Sequence, residues 1–233
     1  EELGGNLTWN PPDIIDDLVI GYNVWLAEEA PCEACLRSSV SNTSDTLVEI
    51  PPETQLLNWT HFLVYARSSF AEQSTPANLL IVDGIASVSN LSFIDKDLDR
   101  EEIGGNFHWA APPTDLDRVV SYEIYLSPTP VSSQRIHLAE VPVPTTTRQI
   151  PAETLTLGHG FLAVFTRSIL VEQTTPVTFV ISDAVSIIGN ITFDDYDLDA
   201  SDLGGNLTWI EPSDVSQVEH YNVYFARRCN VSS

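Results

Sequence analysis

HWAAPPTDLDRVVSYEIY, residues 108–125, carries a tryptophan and a tyrosine thirteen residues apart, joined through a loop of two prolines and two aspartates. The β-branched and aromatic runs on either side predict strands, and the Pro/Asp stretch between them predicts a turn. The same pattern occurs twice more, as TWNPPDIIDDLVIGYNVW at 8–25 and TWIEPSDVSQVEHYNVY at 208–224. Three occurrences about one hundred residues apart make the chain a repeat protein, and repetition governs how the rest is read.

The repeat extends well beyond these stretches. IPPETQLLNWTHFLVYARSSFAEQSTP at 50–76 lies over IPAETLTLGHGFLAVFTRSILVEQTTP at 150–176, and SVSNLSF at 87–93 lies over SIIGNITF at 186–193. Short apolar runs broken every ten or so residues by Pro, Gly, Asp and Ser, with no helical period, predict an all-β chain. In the second copy strands are expected near 86–93, 105–110, 119–127, 134–141, 146–151, 160–168 and 174–182. Seven strands in about 100 residues predict tandem antiparallel β-sandwiches. Trp9, Trp109 and Trp209, with Tyr22, Tyr122 and Tyr221, are the expected inward anchors.

These motifs resemble the fibronectin type III module, in its second-strand Trp, the Pro-rich loop after it and its third-strand Tyr; FLVYARS is similar to its sixth strand. The Tyr of the module's sixth-strand corner has no counterpart, since Thr60 and Gly160 stand near that place, and an immunoglobulin-like relative is the alternative. The module's strand order implies a first repeat, 1–83, without its first strand, a complete repeat at 84–183, and a third, 184–233, that stops after its third strand. With no Met in the chain, a processed product or a fragment is expected. The broken ends are expected to be completed by the same protein or by neighbouring copies in a filament.

Charge and sequons bound the environment. With 33 acidic and 10 basic side chains the net charge is −23, which disfavours nucleic acid and anionic membranes as partners and favours cations. No apolar run is long enough for a membrane span. Asn-X-Ser/Thr sequons occur at Asn6, Asn42, Asn58, Asn90, Asn190, Asn206 and Asn230. In NLTW, Leu7 and Trp9 face one side of a strand and Asn6 and Thr8 the other, so a glycan at Asn6 leaves from the solvent face. A secreted or cell-surface glycoprotein is the expectation.

The acids cluster. FIDKDLDREEIGGNFHW at 93–109 returns as FDDYDLDASDLGGNLTW at 193–209, so Asp95, Asp97, Asp99 and Glu102 recur as Asp195, Asp197, Asp199 and Asp202, with Glu101 added in the first string and Asp194 in the second. In extended chain, alternating carboxylates lie about 6–7 Å apart on one face. Each neighbouring pair repels by about 0.6 kcal/mol in water and about 2.5 kcal/mol at an effective dielectric of 20. Such a loop calls for a counter-charge, and a hard oxygen-seeking cation, calcium, is the candidate. Arg100 or Ala200 at the sixth place and Asn106 or Asn206 at the twelfth exclude an EF-hand loop. In the module's strand order the ladder loop lies at the same pole as Asp83 and Asp183. The candidate ligands are therefore Asp95, Asp97, Asp99, Glu101 and Asp183, with Asp195, Asp197, Asp199 and Asp202, clamping a repeat junction; a solvated acidic turn is the alternative.

Cys32 and Cys35 form a CxxC for which a local disulfide is expected in a secreted chain, while Cys229 has no such mate. His61, His108, His137, His159 and His220 fit no catalytic or metal spacing, and no enzymatic activity is expected. Trp25, Tyr125 and Tyr224, one residue out of phase with the inward set, either pair across strands or stack on sugars. The leading reading is a structural or adhesive extracellular array, a stalk or fibre with cation-stiffened junctions. It would associate with copies of itself and with cell-surface proteins or glycans. A ligand- or carbohydrate-binding array, using loops such as Asp13–Asp17 and Asp115–Asp117, and a spacer of a larger secreted enzyme are the alternatives. Peptide mapping of the native protein is expected to find glycans at Asn6, Asn90, Asn190 and Asn206; finding all four bare overturns the extracellular reading.

Overall fold

The computed structural model describes residues 2–12, 18–30 and 35–226. Asp13–Asp17, Cys32, Cys229 and Asn230 lie outside the described residues. The chain is all-β with several antiparallel sheets, an architecture compatible with β-sandwich repeats. It divides into two compact units, Glu1–Ala86 with Ser168–Glu172, and Ser87–Arg167 with Gln173–Ser233.

The first unit holds β1 (Glu2–Thr8), β2 (Gly21–Ala27), β3 (Arg37–Thr43), β4 (Leu47–Gln55), β5 (His61–Arg67) and β6 (Ala77–Leu80). They form a two-stranded sheet, β1-β4, and a four-stranded sheet, β3-β2-β5-β6. One buried cluster draws Leu7, Val48 and Ile50 from the first sheet and Tyr22, Val24, Leu26, Phe62 and Val64 from the second. Their spacing by two residues along each strand is what puts them on one face. Trp9 meets Tyr22 edge-on at 5.3 Å.

The second unit contains β7 (Ser89–Phe93), β8 (Glu102–Ala110), β9 (Ser121–Ser127), β10 (Ile136–Pro142), β11 (Thr147–Leu155), β12 (Phe161–Arg167) and β13 (Val177–Val180). These seven strands lie close to the expected positions and form sheets ordered β11-β8-β7 and β10-β9-β12-β13. Trp109 and Tyr122, both buried, meet edge-on at 5.4 Å, and burial raises the Tyr122 phenol above its usual range. β14 (Gly189–Phe193) and β15 (Leu207–Ile210) form a separate two-stranded sheet. Trp209 and Tyr221 keep their 5.4 Å edge contact, but Tyr221 lies in no strand and Tyr224 is exposed.

Two backbone features shape the region of the acidic string. Between Ile150, opposite Gly105, and Thr154, opposite Ile103, β11 advances four residues against two on β8. This bulge leaves Glu153 in the left-handed region at φ 61°, as Glu53 is at φ 62°. The double glycine accommodates the close approach of neighbouring backbone. A Cβ on Gly104 would meet Ala152 Cα at 2.8 Å, and one on Gly105, at φ 148°, would meet the Ile94 carbonyl oxygen at 2.6 Å.

The outward aromatics pair across strands. Tyr125 packs edge-on against Phe165 at 5.4 Å, and the Arg135 guanidinium lies over both rings, 4.2 and 4.0 Å from their centroids. Arg37 covers Trp25 at 4.4 Å in the same way. Beneath them the buried Glu123 accepts from Arg167 Nη1 at 3.2 Å and lies 2.9 Å from His137 Nε2. The two complete anchor environments differ from the third, so Trp109→Ala is expected to cost the second unit about 3–5 kcal/mol, whereas Trp209→Ala, in a half-covered pair, is expected to cost much less. Denaturant unfolding of the two variants checks this; equal losses would refute it.

Candidate cation site and junction clamp

The Asp string is a ladder of side-chain-to-backbone bonds. Asp95 Oδ1 accepts from the Asp97 N–H at 3.1 Å and the Gly104 N–H at 2.9 Å. Asp95 Oδ2 accepts from the Ala184 N–H at 3.0 Å. Asp97 Oδ1 accepts from the Asp99 N–H at 3.1 Å and Asp97 Oδ2 from the Glu153 N–H at 2.7 Å. Asp95 and Asp97 are 4% and 6% exposed. Aspartate side chains readily accept from the amide two residues on, which accounts for the alternation: each carboxylate turns the chain and uses its second oxygen elsewhere.

Where those second oxygens go defines the clamp. Asp95 holds Ala184, and Asp183 Oδ2 in return accepts from the Glu101 N–H at 2.9 Å. Ser186 N–H donates to the Leu98 carbonyl at 3.0 Å. Three bonds thus fasten segment 183–186, at the boundary of the second and third repeats, to the ladder loop of the second. Glu101 itself contributes backbone: it sits at φ 66°, and its carbonyl accepts from the Thr156 amide and hydroxyl at 2.8 and 3.1 Å.

The carboxylates that converge are a different set from those expected. Asp97, Asp99, Glu102 and Glu153 offer oxygens all within 4.8 Å of one another, the one such group among the described residues. Asp95 and Asp183 are engaged by backbone N–H groups instead. Glu102 and Glu153 were not among the expected candidates; the recurrence of Glu in IPPET and IPAET was the available signal for Glu153. Glu102 is held above the usual carboxylate range by its hydrogen bond with Glu153, then by desolvation, then by repulsion from Glu153, Asp97 and Asp99. Glu53 is raised for the same reasons by Glu2. Four hard oxygen donors fit a calcium-type ion chemically.

The third copy keeps the local half of the arrangement. Asp195 Oδ1 accepts from the Asp197 and Gly204 amides at 3.0 Å each, and Asp197 Oδ1 from Asp199 at 2.9 Å. Asp202 N–H lies 3.4 Å from the Asp199 carbonyl. All four aspartates are exposed. The six sequon asparagines within the described residues, Asn6, Asn42, Asn58, Asn90, Asn190 and Asn206, are exposed as well. Among the described residues no helix is long and apolar enough to cross a membrane. The chain matches no known protein-family model and no curated protein sequence.

Asp95→Ala removes the acceptor of three amides, and an amide left without a partner costs about 1–3 kcal/mol, so a loss of about 2–4 kcal/mol is expected. Asp195→Ala, on an exposed ladder, is expected to lose a small fraction of that. Equal melting shifts for the two variants would show that the nonlocal bonds contribute nothing.

Proposed function

We propose that the chain is a stretch of a secreted structural glycoprotein, built from tandem β-sandwich repeats of the fibronectin type III type and acting as a stalk, fibre or adhesion surface with stiffened junctions. The reading is non-enzymatic. The observation that carries it is the reciprocal staple of Asp95 on Ala184 and Asp183 on Glu101, since a protein selected for extension needs the exit of each repeat held to the repeat itself. The three- and four-stranded sheets over Ser89–Val180 and the Trp109–Tyr122 contact support the module type. Exposed sequons support the extracellular setting, and the reading includes a Cys32–Cys35 bridge. Copies of the same protein, cell-surface proteins and glycans are the partners it implies.

Stiffening has an electrostatic component. Calcium held by Asp97, Asp99, Glu102 and Glu153 would neutralise the one place where the ladder's carboxylates converge. Millimolar calcium over a Kd of about 10⁻⁴ M stabilises by roughly 1.4 kcal/mol. A carboxyl held above its usual range binds its proton more tightly in the folded chain. The stability it adds is present below the unfolded pKa and is lost as pH rises through the folded one. Without a cation, Glu153, Asp97 and Asp99 therefore oppose the ionised form of Glu102.

Glu102→Gln is expected to melt higher than the wild type in chelator and to lose the calcium-dependent rise, at constant ionic strength. A wild type that melts identically with calcium and chelator refutes the cation. The structural reading is tested separately by spin labels in the second and third repeats. The interspin distance distribution is expected to broaden in Asp95→Ala/Asp183→Ala, and an unchanged width sinks the junction clamp.

A further inference from the structure

We infer that the N-glycan of Asn42 guards a sheet edge: Arg67 turns the Asn42 amide so that the sugar leaves over the open side of β3 and keeps that strand from pairing with β3 of a second copy. The inference rests on the secreted-glycoprotein reading and gives one sequon a task of its own.

Among the described residues β3 ends the sheet β3-β2-β5-β6, and β10 ends the sheet β10-β9-β12-β13 in the same way. The open edge is thus a property of the repeat, since it recurs in the second copy. Along an antiparallel edge strand every second residue turns its amide and carbonyl away from the neighbour, and such a row is a template for another strand. The second repeat blunts it. Glu140 lies opposite Glu123 and Pro142 opposite Ser121; both are exposed, and charge and proline keep an edge unpaired. In the first repeat Asn42 lies opposite Asn23 and Thr43 opposite Tyr22, which puts Ser44 level with Gly21. The sequon Asn42, Thr43, Ser44 therefore takes the places of Glu140, Val141 and Pro142. Residues 38–43, SSVSNT, carry no charge and no proline.

Arg67 supplies the aim. Its Nη2 donates to Asn42 Oδ1 at 3.0 Å, and a guanidinium has only donors, so the amide oxygen and not the nitrogen must face it. Arg67 stands on β5, and the route to β3 crosses β2 at Gly21, where a Cβ would lie 3.4 Å from Nη2. With Ser121 at that place, Arg167 bonds Glu123 instead. The bond draws Oδ1 toward the middle of the sheet, and the nitrogen, on the other branch of the planar amide, turns toward the edge. Asn42 is exposed, on the face opposite to Tyr22 and Val24, which enter the core. N-glycosylation joins Nδ2 to the anomeric carbon of an oligosaccharide carried on a lipid pyrophosphate. The pyrophosphate leaves with the electron pair of the broken C–O bond, Nδ2 gives up one proton, and Oδ1 keeps its bond to Arg67. A bulky sugar on that nitrogen fills the space where a paired strand would have to lie, about 4.8 Å from β3. The contact it prevents is isologous, β3 against β3.

The test uses the full chain secreted from a host that N-glycosylates. Peptide mapping is expected to find Asn42 occupied. Asn42 bare beside occupied Asn6 and Asn90 overturns the inference and leaves the extracellular reading standing. Ser44→Ala removes the sequon without touching the Asn42–Arg67 bond, and sedimentation velocity is expected to show dimerisation about tenfold tighter, or more, than for the wild type. Asn42→Glu, equally free of sugar but charged as Glu140 is, is expected to stay as monomeric as the wild type. Arg67→Met keeps the sugar and frees the amide, so a glycosidase is expected to release the Asn42 glycan severalfold faster from the native protein and at an unchanged rate from the denatured one. A Ser44→Ala chain that associates no more than the wild type overturns the guard, as does an Asn42→Glu chain that associates as strongly as Ser44→Ala. Native release indifferent to Arg67→Met overturns the aim.

Discussion

The second repeat depends on one carboxylate. Asp95 accepts from three backbone amides that belong to three different parts of the unit: its own loop at Asp97, the start of β8 at Gly104, and the exit segment at Ala184. None of these amides has a strand to pair with at that point, and a buried amide must find an acceptor. An ionised carboxylate with two oxygens is the smallest group that can serve three, and charge-assisted bonds are the stronger kind. The amide dipoles also supply part of the counter-charge that repulsion along the string demands. What remains uncompensated is concentrated where Asp97, Asp99, Glu102 and Glu153 meet.

Much of the architecture was legible because it rests on period and turn chemistry. The strands around Trp109 and Tyr122 follow from alternation and from prolines that end them, and the ladder's importance follows from its repetition. The convergence of Asp97, Asp99, Glu102 and Glu153 was not legible. The β11 bulge advances four residues against two, so counting by twos across Pro151 sends Glu153 to the wrong place, and only the folded register brings it beside Glu102. The engagement of Asp95 and Asp183 by amides was hidden for a related reason: their partners, Ala184 and Glu101, are 89 and 82 residues away.

The outward face of the four-stranded sheets was hidden by a small slip in the repeat. Arg37 and Arg135 do the same work on Trp25 and on the Tyr125–Phe165 pair, yet they stand 98 residues apart, while the aromatics they cover stand 100 apart. A comparison at fixed spacing misses them. Their effect on function is direct, because a guanidinium over the ring occupies a face that a sugar would need. Glu123, buried between the half-exposed Arg167 and His137, has Asn23 as its counterpart, whose amide donates to Glu72, so the two repeats fill one structural position with different chemistry.

The third copy separates what sequence determines locally from what it leaves to the rest of the fold. There the Asp195 carboxylate still turns the loop onto Asp197 and Gly204, and Tyr196 N–H still reaches the Gly204 carbonyl at 2.6 Å, as Lys96 reaches Gly104 at 2.7 Å. Among the described residues β14 and β15 pair with each other alone. The ladder and the double glycine therefore close the first hairpin of a repeat through contacts fewer than twenty-two residues apart, before any distant strand is needed. Contacts of that range form early, because little loop entropy opposes them. Burial of Phe193, by contrast, requires strands from elsewhere. The hairpin is thus written locally, whereas the 8% exposure of Phe93 against 41% for Phe193 is set by strands distant in sequence.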